Sequence, residues 1–326
     1  MQDKIVAMLQ AEEDYLSGQE ICDRLGVSRT AVWKVIKKLR EEGYEIEAVS
    51  NKGYHLKSQP DRINQTAIKP YLKTEQIAQD ILFFEEIDST NTYAKQLGEK
   101  GAKAGTLVIA ECQNAGKGRR GRTWVSPKGK DVYMTILLRP QIPPEHASSI
   151  TLVAALSVAK AIREVTGLES GIKWPNDIVI HGKKVCGILT EMSSEPDCIH
   201  YVVVGIGINV NMDQFDEEIK EMASSLYLEG GKTVVRAALV ASVLNHFEKD
   251  YQVFCKDQSL LGLKAEYDSL LINHGKDVKI IGIQEEYAGV AQGIDETGRL
   301  LVQMEDGSLR KVVSGEVSVR GLYGYV

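Results

Sequence analysis

The stretch Gly116-Lys-Gly-Arg-Arg-Gly-Arg-Thr-Trp124, in which cations alternate with glycines, decides how the middle of this chain is interpreted. It follows the strand-like run 106–110 and contains the pattern G-x-G-x-x-G. The pattern is a weak match to a dinucleotide-binding turn, which should open an apolar helix, and it lacks the Gly-Lys-Ser/Thr ending of a Walker loop. Glycines let a backbone approach a ligand closely and cations stabilise anions, so the loop suits a phosphate or an acyl phosphate. A flexible basic surface loop and a second nucleic-acid contact are the alternatives.

Towards the amino terminus, the pattern predicts two short helices and an extended hairpin. Ser17 stands three residues before Glu20, which is the spacing of a helix cap, and that helix should break at Gly26. Apolar residues at helical spacing predict a second helix over 28–42, begun by the cap residue Ser28. The strand-like runs 44–49 and 53–56 then flank a turn. The order is that of a winged helix-turn-helix.

The second of these helices carries cations and, up to Arg40, no acidic residue. Such a helix is typical of one that lies in the DNA major groove, with its first residues at base edges and its later lysines at phosphates. The residues expected to contact DNA are Ser28, Arg29, Thr30, Trp33, Lys34 and Lys37. A solvated amphipathic helix in an interaction domain is the alternative, and for Trp33 packing is favoured over base contact.

Length and composition bound the remaining interpretation. A chain of 326 residues is expected to form two or three domains, and 43% hydrophobic with 26% charged residues is typical of a globular protein. The five scattered cysteines have no zinc-like or disulfide-like spacing. No apolar run is long enough to cross a bilayer and no leader pattern is visible, so we expect a cytoplasmic protein with no membrane partner. A net charge of −6 argues against a surface that coats nucleic acid.

Patterning predicts three domains, at 1–60, 64–274 and 275–326. The polar stretch 58–61 contains a proline and is the expected linker. The central region alternates helical segments, such as 149–165, with strand-like runs at 106–110, 132–138, 178–180 and 201–208, as an α/β domain does. From residue 276 onward, short strand-like runs at 278–283, 286–294, 300–304, 308–313 and 317–322 predict a small β-barrel.

Further stretches complete a recognisable order. They are Asp88-Ser-Thr-Asn91, the loop 116–122, Lys173-Trp-Pro-Asn-Asp177, Lys184-Val-Cys-Gly-Ile-Leu189 and Gly205-Ile-Gly-Ile-Asn209. In this order, and with the helix-turn-helix before them, they resemble the bacterial family of bifunctional biotin–protein ligases and biotin-operon repressors from end to end. Lipoate ligases, the related class, lack the arginine-rich loop and the DNA-binding domain.

The resemblance implies an α+β multidomain fold with three parts. They are an N-terminal winged helix-turn-helix, a central α/β catalytic domain like that of class II aminoacyl-tRNA synthetases, and a C-terminal SH3-like β-barrel. It implies that biotin and ATP, with Mg²⁺, give biotinoyl-5′-AMP and pyrophosphate, and that a lysine of a biotin carrier domain, as in acetyl-CoA carboxylase, then takes the biotinoyl group. It also implies operator DNA as a partner, biotinoyl-AMP as corepressor, and a homodimer in the adenylate-bound state.

The resemblance also assigns site residues. Lys184 and Arg119 are expected to be catalytic, and Asp177 is a candidate Mg²⁺ ligand. The residues expected to bind biotin are Ser89, Thr90, Asn91, Gln113, Gly116, Lys117, Gly118, Arg119, Lys184 and Gly187. Those expected to bind the nucleotide are Arg119, Arg122, Trp124, Asn176, Lys184 and Asn209.

Elementary chemistry supports these roles, because a carboxylate and a triphosphate must meet in line, and fixed cations lower the barrier to that encounter. The mixed anhydride hydrolyses in water, so a closing loop is useful. Structural roles are the alternatives: Ser89-Thr90-Asn91 as a helix cap, Asp177 as a structural carboxylate, Lys184 as a surface lysine, and Gly205 with Gly207 as packing positions. Lys117 stands where arginine is common in the family, which puts a bidentate phosphate contact there in doubt.

Two other functions remain open at this point. One is a ligand-sensing transcription factor without catalysis, against which Lys184 and the intact basic loop argue. The other is a ligase whose N-terminal domain does not bind DNA.

Overall fold

The computed structural model describes residues 1–12, 14–282, 285–314 and 318–321. Its helices are α1 (Gln2–Gln10), α2 (Gly18–Leu25), α3 (Arg29–Glu41), α4 (Gln65–Ile68), α5 (Thr90–Glu99), α6 (Ser149–Thr166), α7 (Leu226–Gly230), α8 (Arg236–Asp257) and α9 (Leu261–Leu270). Its strands are β1 (Glu45–Val49), β2 (Gly53–Ser58), β3 (Ile81–Phe84), β4 (Leu107–Ala110), β5 (Val132–Leu138), β6 (Gly171–Lys173), β7 (Asp177–Ile180), β8 (Lys183–Glu195), β9 (Cys198–Ile208), β10 (Asp277–Ile281), β11 (Glu286–Ile294), β12 (Leu300–Gln303), β13 (Leu309–Val312) and β14 (Ser318–Gly321). Within this part of the chain, none of the helices combines the length and apolarity required to span a bilayer.

The two predicted N-terminal helices, α2 and α3, and the hairpin form as the sequence predicts. They share an apolar core of their own with α1, for which the sequence analysis gave no bounds. The Ser17 hydroxyl accepts a hydrogen bond from the Glu20 amide at 3.0 Å, and α2 ends at Gly26 in the left-handed conformation. Ser28 caps α3 by accepting from the Ala31 amide at 3.3 Å. The β1–β2 hairpin closely approaches the segment before α2 at Gly53, where a Cβ would lie 2.1 Å from the Leu16 carbonyl oxygen.

The central region is built on a mixed seven-stranded sheet of order β3-β4-β5-β9-β8-β7-β6. The β3–β4 pair is parallel and the other neighbouring pairs are antiparallel. Side chains alternate between the two faces. Ile136 and Val204 join the large core that contains α6 and α8, whereas Leu137 and Val203 face α5 in a smaller cluster.

The sequence patterns set most strand positions correctly. The run 132–138 is β5 exactly, and 178–180 lies within β7. The observed strand β9 is longer than the predicted strand 201–208, because Cys198, Ile199 and His200 continue the hairpin with β8 into a largely exposed ribbon. Exposed residues there lack the apolar run from which a buried strand is predicted.

The C-terminal strands form an antiparallel sheet of order β13-β12-β11-β10-β14. Within the described residues β13 and β14 each pair with one neighbour, so the sheet is not closed. The ends of the predicted runs at Ile283, Val317 and Leu322 lie outside the described residues. Buried residues of this sheet belong to the same apolar core as the central sheet, and the Trp174 indole donates to the Gly298 carbonyl at 3.0 Å.

Candidate active site

A hollow in the α5 face of the central sheet results from short residues that lie side by side. Gly187 pairs with Gly207 across β8 and β9, and Gly205 pairs with Thr135 of β5. A Cβ at Gly205 would lie 2.1 Å from the Asn91 carboxamide oxygen. A Cβ at Gly187 or Gly207 would lie less than 3 Å from the Trp124 indole, at 2.8 and 2.7 Å. These glycines therefore make room for the side chains of the site itself.

The hollow is the floor of a cleft between α5, the loop 116–124 and the strands β8 and β9. The cleft is lined by Ser89, Thr90, Asn91, Gln113, Lys117, Gly118, Arg119, Trp124, Tyr133, Met134, Asn176, Lys184, Gly187, Ile188, Leu189, Gly205, Ile206 and Gly207. The structure thus brings together residues from separate predicted motifs, although they are distant in sequence.

The polar corner of the cleft lies at the start of α5. Ser89 caps this helix, with its hydroxyl 3.4 Å from the Thr92 amide, as the structural alternative proposed. Thr90 does more than begin a helix, because its amide and hydroxyl both donate to the Gln113 carboxamide oxygen, at 2.9 and 3.1 Å. Asn91 is fixed by the Thr135 hydroxyl at 2.7 Å. The corner offers oriented donors and acceptors to a small ligand with an amide-like group.

The cationic end of the cleft contains Lys184 and Arg119. The Lys184 ammonium lies 2.6 Å from an Asp177 carboxylate oxygen and 5.3 Å from the Trp124 ring centroid. The Arg119 guanidinium donates to the Asn176 carboxamide oxygen at 2.6 Å. Burial lowers the pKa of Arg119, Asp177 opposes the shift, and the neighbouring arginines add to it. Both cations are thus held in place before any anion enters.

The Trp124 indole nitrogen is buried and has no hydrogen-bond partner among the described residues. Leaving a buried donor unpaired costs about 1–3 kcal/mol. A ligand oxygen in the cleft is one way to satisfy such a donor, so the indole fits the nucleotide-binding role that the sequence predicts.

The loop 116–124 is folded back on itself like a hairpin. The Gly118 amide donates to the Arg122 carbonyl at 2.7 Å, and the Trp124 amide donates to the Gly116 carbonyl at 2.9 Å. Arg120 takes a left-handed conformation, with φ of 57°, inside the short turn between them. This turn directs Arg119 into the cleft, whereas Arg122 is exposed.

Four predicted ligand residues do not line the cleft: Gly116, Arg122, Asp177 and Asn209. Asn209 is buried and donates to the Ser224 carbonyl at 3.0 Å. Asp177 contacts two residues that line the cleft, the Lys184 ammonium at 2.6 Å and the Asn176 side-chain amide, which donates to it at 3.1 Å. The wall of the cleft is formed by residues to which the sequence assigned no ligand role, namely Tyr133, Met134, Ile188, Leu189, Gly205, Ile206 and Gly207. The last five of these stand in quoted motifs, whereas Tyr133 and Met134 stand in none. The strands that carry these residues are visible in the sequence, but their pattern does not tell which face of the sheet meets a ligand.

A separate group of possible metal ligands, Glu195, Cys198 and His200, lies at the exposed end of the β8–β9 hairpin. This end is opposite to the glycine floor of the cleft, so the group is no part of the site. Among the described residues, Asp177 is the carboxylate that pairs with the predicted catalytic lysine, Lys184. A Mg²⁺ ion commonly takes one carboxylate together with substrate phosphates and water, so Asp177 fits the metal-binding role that the sequence analysis expects of it.

A second candidate surface is the exposed side of α3. All six residues predicted to contact DNA, namely Ser28, Arg29, Thr30, Trp33, Lys34 and Lys37, are exposed. Trp33 is 54% exposed, so the expectation that it packs in the core is not met. The Lys37 ammonium lies 5.8 Å from its ring centroid. The apolar side of the same helix is in the N-terminal core.

Comparison with known proteins agrees with this organisation. Residues 83–209 match the biotin/lipoate A/B protein ligase family, residues 2–55 match an HTH domain, and residues 274–320 match the biotin protein ligase C-terminal domain. The biotin protein ligase from Aquifex aeolicus in complex with biotin and ATP superposes with a TM-score of 0.66 at 34% identity, covering 74% of this chain and 99% of that one.

Similarity to curated relatives extends over almost the whole chain. The bifunctional ligase/repressor BirA of Bacillus subtilis is 40% identical over 319 residues, which are 97% of this chain and 98% of the relative. BirA of Escherichia coli is 31% identical over 97% of this chain and 96% of its own length. On these grounds the chain belongs to the family of bifunctional biotin ligase/repressors.

Proposed function

We propose that this chain joins biotin to ATP in the cleft beside α5, forming biotinoyl-5′-AMP and pyrophosphate, and transfers the biotinoyl group to a lysine of a biotin carrier domain. The observation that carries the proposal is the cleft itself, where a polar corner at Thr90 and Gln113 faces two oriented cations, Lys184 and Arg119. The family relationship gives the same activity.

The polar corner suits the ureido ring of biotin, which has N–H donors and a carbonyl acceptor. The Ser89, Thr90 and Gln113 side chains are the proposed partners, and the apolar wall from β8 and β9 would cover the sulfur ring and the acyl chain. Asn91 supports this corner from below, because Thr135 holds its carboxamide oxygen while its amide group contacts Glu191 at 2.9 Å.

Lys184 and Arg119 are the proposed catalytic residues. The biotin carboxylate attacks the α-phosphate, so negative charge from both groups gathers at one place, and pre-oriented cations there stabilise the transition state by a few kcal/mol, about 3 for a typical single donor. Lys184 can exchange its Asp177 partner for the incoming anions. A Mg²⁺ ion bound by Asp177 and the phosphates would supply further charge neutralisation. Trp124, Asn176 and, beyond the cleft, Arg122 and Asn209 are proposed to face the nucleotide.

The loop 116–124 is the proposed lid. Gly116, Lys117 and Gly118 bring its backbone close to the cleft, and Gly187 leaves space beneath it. A lid that excludes water protects the mixed anhydride until the acceptor lysine arrives.

The second activity is repression. The exposed cations of α3 suit the major groove of operator DNA, and the hairpin β1–β2 is the accompanying wing. We propose that biotinoyl-AMP is the corepressor and favours a homodimer that binds two half-sites. ATP and chromosomal DNA place such a protein in the cytoplasm.

The finer architecture belongs to the proposal as well. We infer that the C-terminal sheet forms an SH3-like barrel and that the central domain has the class II aminoacyl-tRNA synthetase arrangement. We also propose the domain limits 1–60, 64–274 and 275–326. The separate N-terminal core supports the first limit, since no apolar cluster joins α1–α3 to the central sheet in the described chain. The match of residues 274–320 to the biotin protein ligase C-terminal domain supports the second, although the two sheets share one apolar core.

Biotin-dependent exchange between ATP and labelled pyrophosphate tests the ligase. The expected result is exchange that requires biotin, followed by labelling of an isolated biotin carrier domain. A chain that binds biotin without exchange would be a sensor and not an enzyme.

Operator occupancy tests the repressor. Binding to a duplex from the promoter of the organism's own biotin biosynthesis genes should be tightest with biotin and ATP together. Equal binding with biotin alone, ATP alone and both would contradict a corepressor role. Deletion of residues 1–60 should abolish DNA binding, because those residues hold the whole of α3.

A further inference from the structure

A buried arginine joins three parts of the chain that the two proposed activities use. Arg236, the first residue of α8, is only 1% exposed. It is one of the largest fully buried side chains in the described protein, and no motif in the sequence marks it. A buried charge persists where hydrogen bonds and opposite charges surround it.

One partner is Asp61, in the segment that connects the winged helix-turn-helix to the central domain. The Arg236 Nε donates to Asp61 Oδ2 at 2.8 Å, and the Arg236 amide donates to Asp61 Oδ1 at 3.1 Å. A third bond runs from Nη2 to the Asp61 carbonyl at 2.5 Å. Arg236 thus binds both the carboxylate and the main-chain carbonyl of Asp61, and it fixes the last part of the linker to the start of α8.

The other partners stand at both ends of the segment that contains the lid. Glu111 directly follows β4, and its carboxylate accepts from Arg236 Nη1 at 2.7 Å and from Nη2 at 3.3 Å. Asp131 directly precedes β5, and its carbonyl accepts from Nη1 at 3.0 Å. One guanidinium therefore clamps the two base points of residues 111–131.

The nearby strand end is part of the same network. The Asp131 carboxylate accepts from the Val210 amide at 2.7 Å, just after β9. The backbone amide of Asn211 donates to the Lys130 carbonyl at 2.9 Å, and its side-chain Nδ2 donates to Asp61 Oδ2 at 3.3 Å. A shift of the lid's base would thus reach Asp61 by two routes, through Arg236 and through Asn211.

We propose that Arg236 and Asp61 are positioning residues that pass the closed state of the lid to the winged helix-turn-helix. The inference rests on the proposed corepressor function. When the lid closes over the adenylate, Glu111 and Asp131 settle at its base, and Arg236 holds Asp61 and with it the direction in which the DNA-binding domain leaves the central domain. Coupling of this kind needs an element whose arrangement both sites bias.

The test uses the full-length chain and the variant Asp61→Asn. The asparagine keeps the shape of the side chain and removes the charge that binds Arg236. The side chain of Asp61 is 33% exposed, and it lies outside the cleft, so the variant is expected to fold and to keep pyrophosphate exchange within about twofold of wild type. Affinity for the promoter duplex is measured with and without biotin and ATP.

The expected result is a specific loss of coupling. The increase in affinity caused by biotin and ATP should fall at least threefold in Asp61→Asn, be partly restored in Asp61→Glu, and stay unchanged in Asp80→Asn, an exposed aspartate beside β3 that serves as the charge control. Hydrogen exchange of residues 59–68 should slow on ligand addition in wild type and less in Asp61→Asn. A purely structural role would lower the melting temperature without changing this ratio.

The outcomes separate the two proposals. An unchanged ratio in Asp61→Asn overturns this inference and leaves the corepressor function standing. No ligand effect in wild type overturns both. Should Asp61→Asn fail to fold, Arg236→Lys gives the same comparison, since an ammonium keeps the charge but has no fork to hold Asp61 and Glu111 together.

Discussion

The cations of α3 and those of the cleft are the same residue types in opposite settings. Lys34 and Lys37 are exposed, and the Lys37 ammonium has only an exposed carboxylate, that of Glu41, at 3.9 Å. Lys184 is mostly covered, with its side chain 26% exposed, and it already has a carboxylate partner at 2.6 Å. An exposed lysine contributes a screened, adjustable charge, whereas a half-buried and paired lysine contributes a charge at one fixed place.

This difference explains why one surface suits a polymer and the other a single reacting group. Phosphates along DNA are repeated and each contact is weak, so exposed lysines without fixed geometry are sufficient. A carboxylate and an α-phosphate must meet at one point, where a displacement of about 1 Å costs roughly 100-fold in rate. The two regions should therefore respond very differently to the loss of one cation.

Loss of the cleft lysine should have the largest effect. Lys184→Ala is expected to lower pyrophosphate exchange by about 10²–10³-fold, because the charge that faces the developing anion is removed and Asp177 is left in its place. The far-ultraviolet circular dichroism should be unchanged. Lys183→Ala, one residue earlier on the same strand, is the matched control. Near-normal exchange in folded Lys184→Ala would remove this residue from the mechanism.

The next largest effect is expected on the stability of the fold, and it comes from the buried carboxylate of Asp131. Burial raises the pKa of Asp131 to about 6, against hydrogen bonds from Val210 and Tyr133 and the charge of Arg236, which lower it. The folded state therefore holds this proton more tightly than the unfolded state, whose value is near 3.8. Protonated Asp131 therefore contributes to the free energy of unfolding. This contribution is present in full below pH 4 and is lost as the pH rises through 6, a change of roughly 2–3 kcal/mol.

Asp131→Asn tests the sign of that shift. The amide oxygen can still accept from Val210, and the Tyr133 hydroxyl keeps the Pro127 carbonyl at 3.1 Å. Urea unfolding of the central region should show the variant gaining on wild type between pH 4.5 and 7.5. If wild type gains on the variant instead, the carboxylate is stabilised in its charged form and the shift has the opposite direction.

Arg119→Gly sharpens the comparison within the cleft. The substitution removes the contact with Asn176 and one of two cations, but leaves Lys184 in place. Biotinoyl-AMP should dissociate about tenfold faster, and bystander lysines should become labelled because the lid no longer retains the anhydride. Arg120→Gly, in the same turn, is the control. An unchanged rate of dissociation would show that the loop does not act as the lid.

Features that depend on nearby residues can be predicted from the sequence, whereas contacts between distant residues cannot. Helix caps such as Ser17 and Ser28, and the strand 132–138, depend on neighbours close in the chain, and they were predicted correctly. Motif residues such as Thr90 and Lys184 were predicted to share a site from the family resemblance, and both line the cleft, while their roles stay predictions. The apolar wall was given no ligand role, since Ile188 in a ligand cleft and a core isoleucine look alike in sequence.

The ion pair between Asp61 and Arg236 was not predicted, because sequence patterns report on residues that are close together in the chain. Asp61 and Arg236 are 175 residues apart, and neither stands in a pattern that points to the other. The predicted ligand residues Arg122 and Asn209 do not line the cleft, and their nucleotide contacts stay predictions, because a motif places a residue near a site but does not tell which way its side chain points. The pairing of Arg236 with Asp61 follows from where α8 begins, and α8 is placed by its packing against α6.

The smallest effect is expected on α3, where the loss of one exposed lysine should be gradual. Lys37→Ala removes a single phosphate contact, so operator affinity should fall only a fewfold at moderate salt, and the slope of log K against log salt should decrease by about 0.9 for each half-site. Arg29→Ala, near the start of the helix, should also relax sequence preference, because base contacts specify and phosphate contacts only position. The measurement is binding to operator and to scrambled duplex over a range of salt concentrations. Lys256→Ala, at an exposed position in the last turn of α8 and outside the winged helix-turn-helix, is the control for charge alone. A loss of binding by Lys37→Ala as severe as the loss of catalysis by Lys184→Ala would mean that α3 holds a fixed, geometry-dependent contact like that of the cleft.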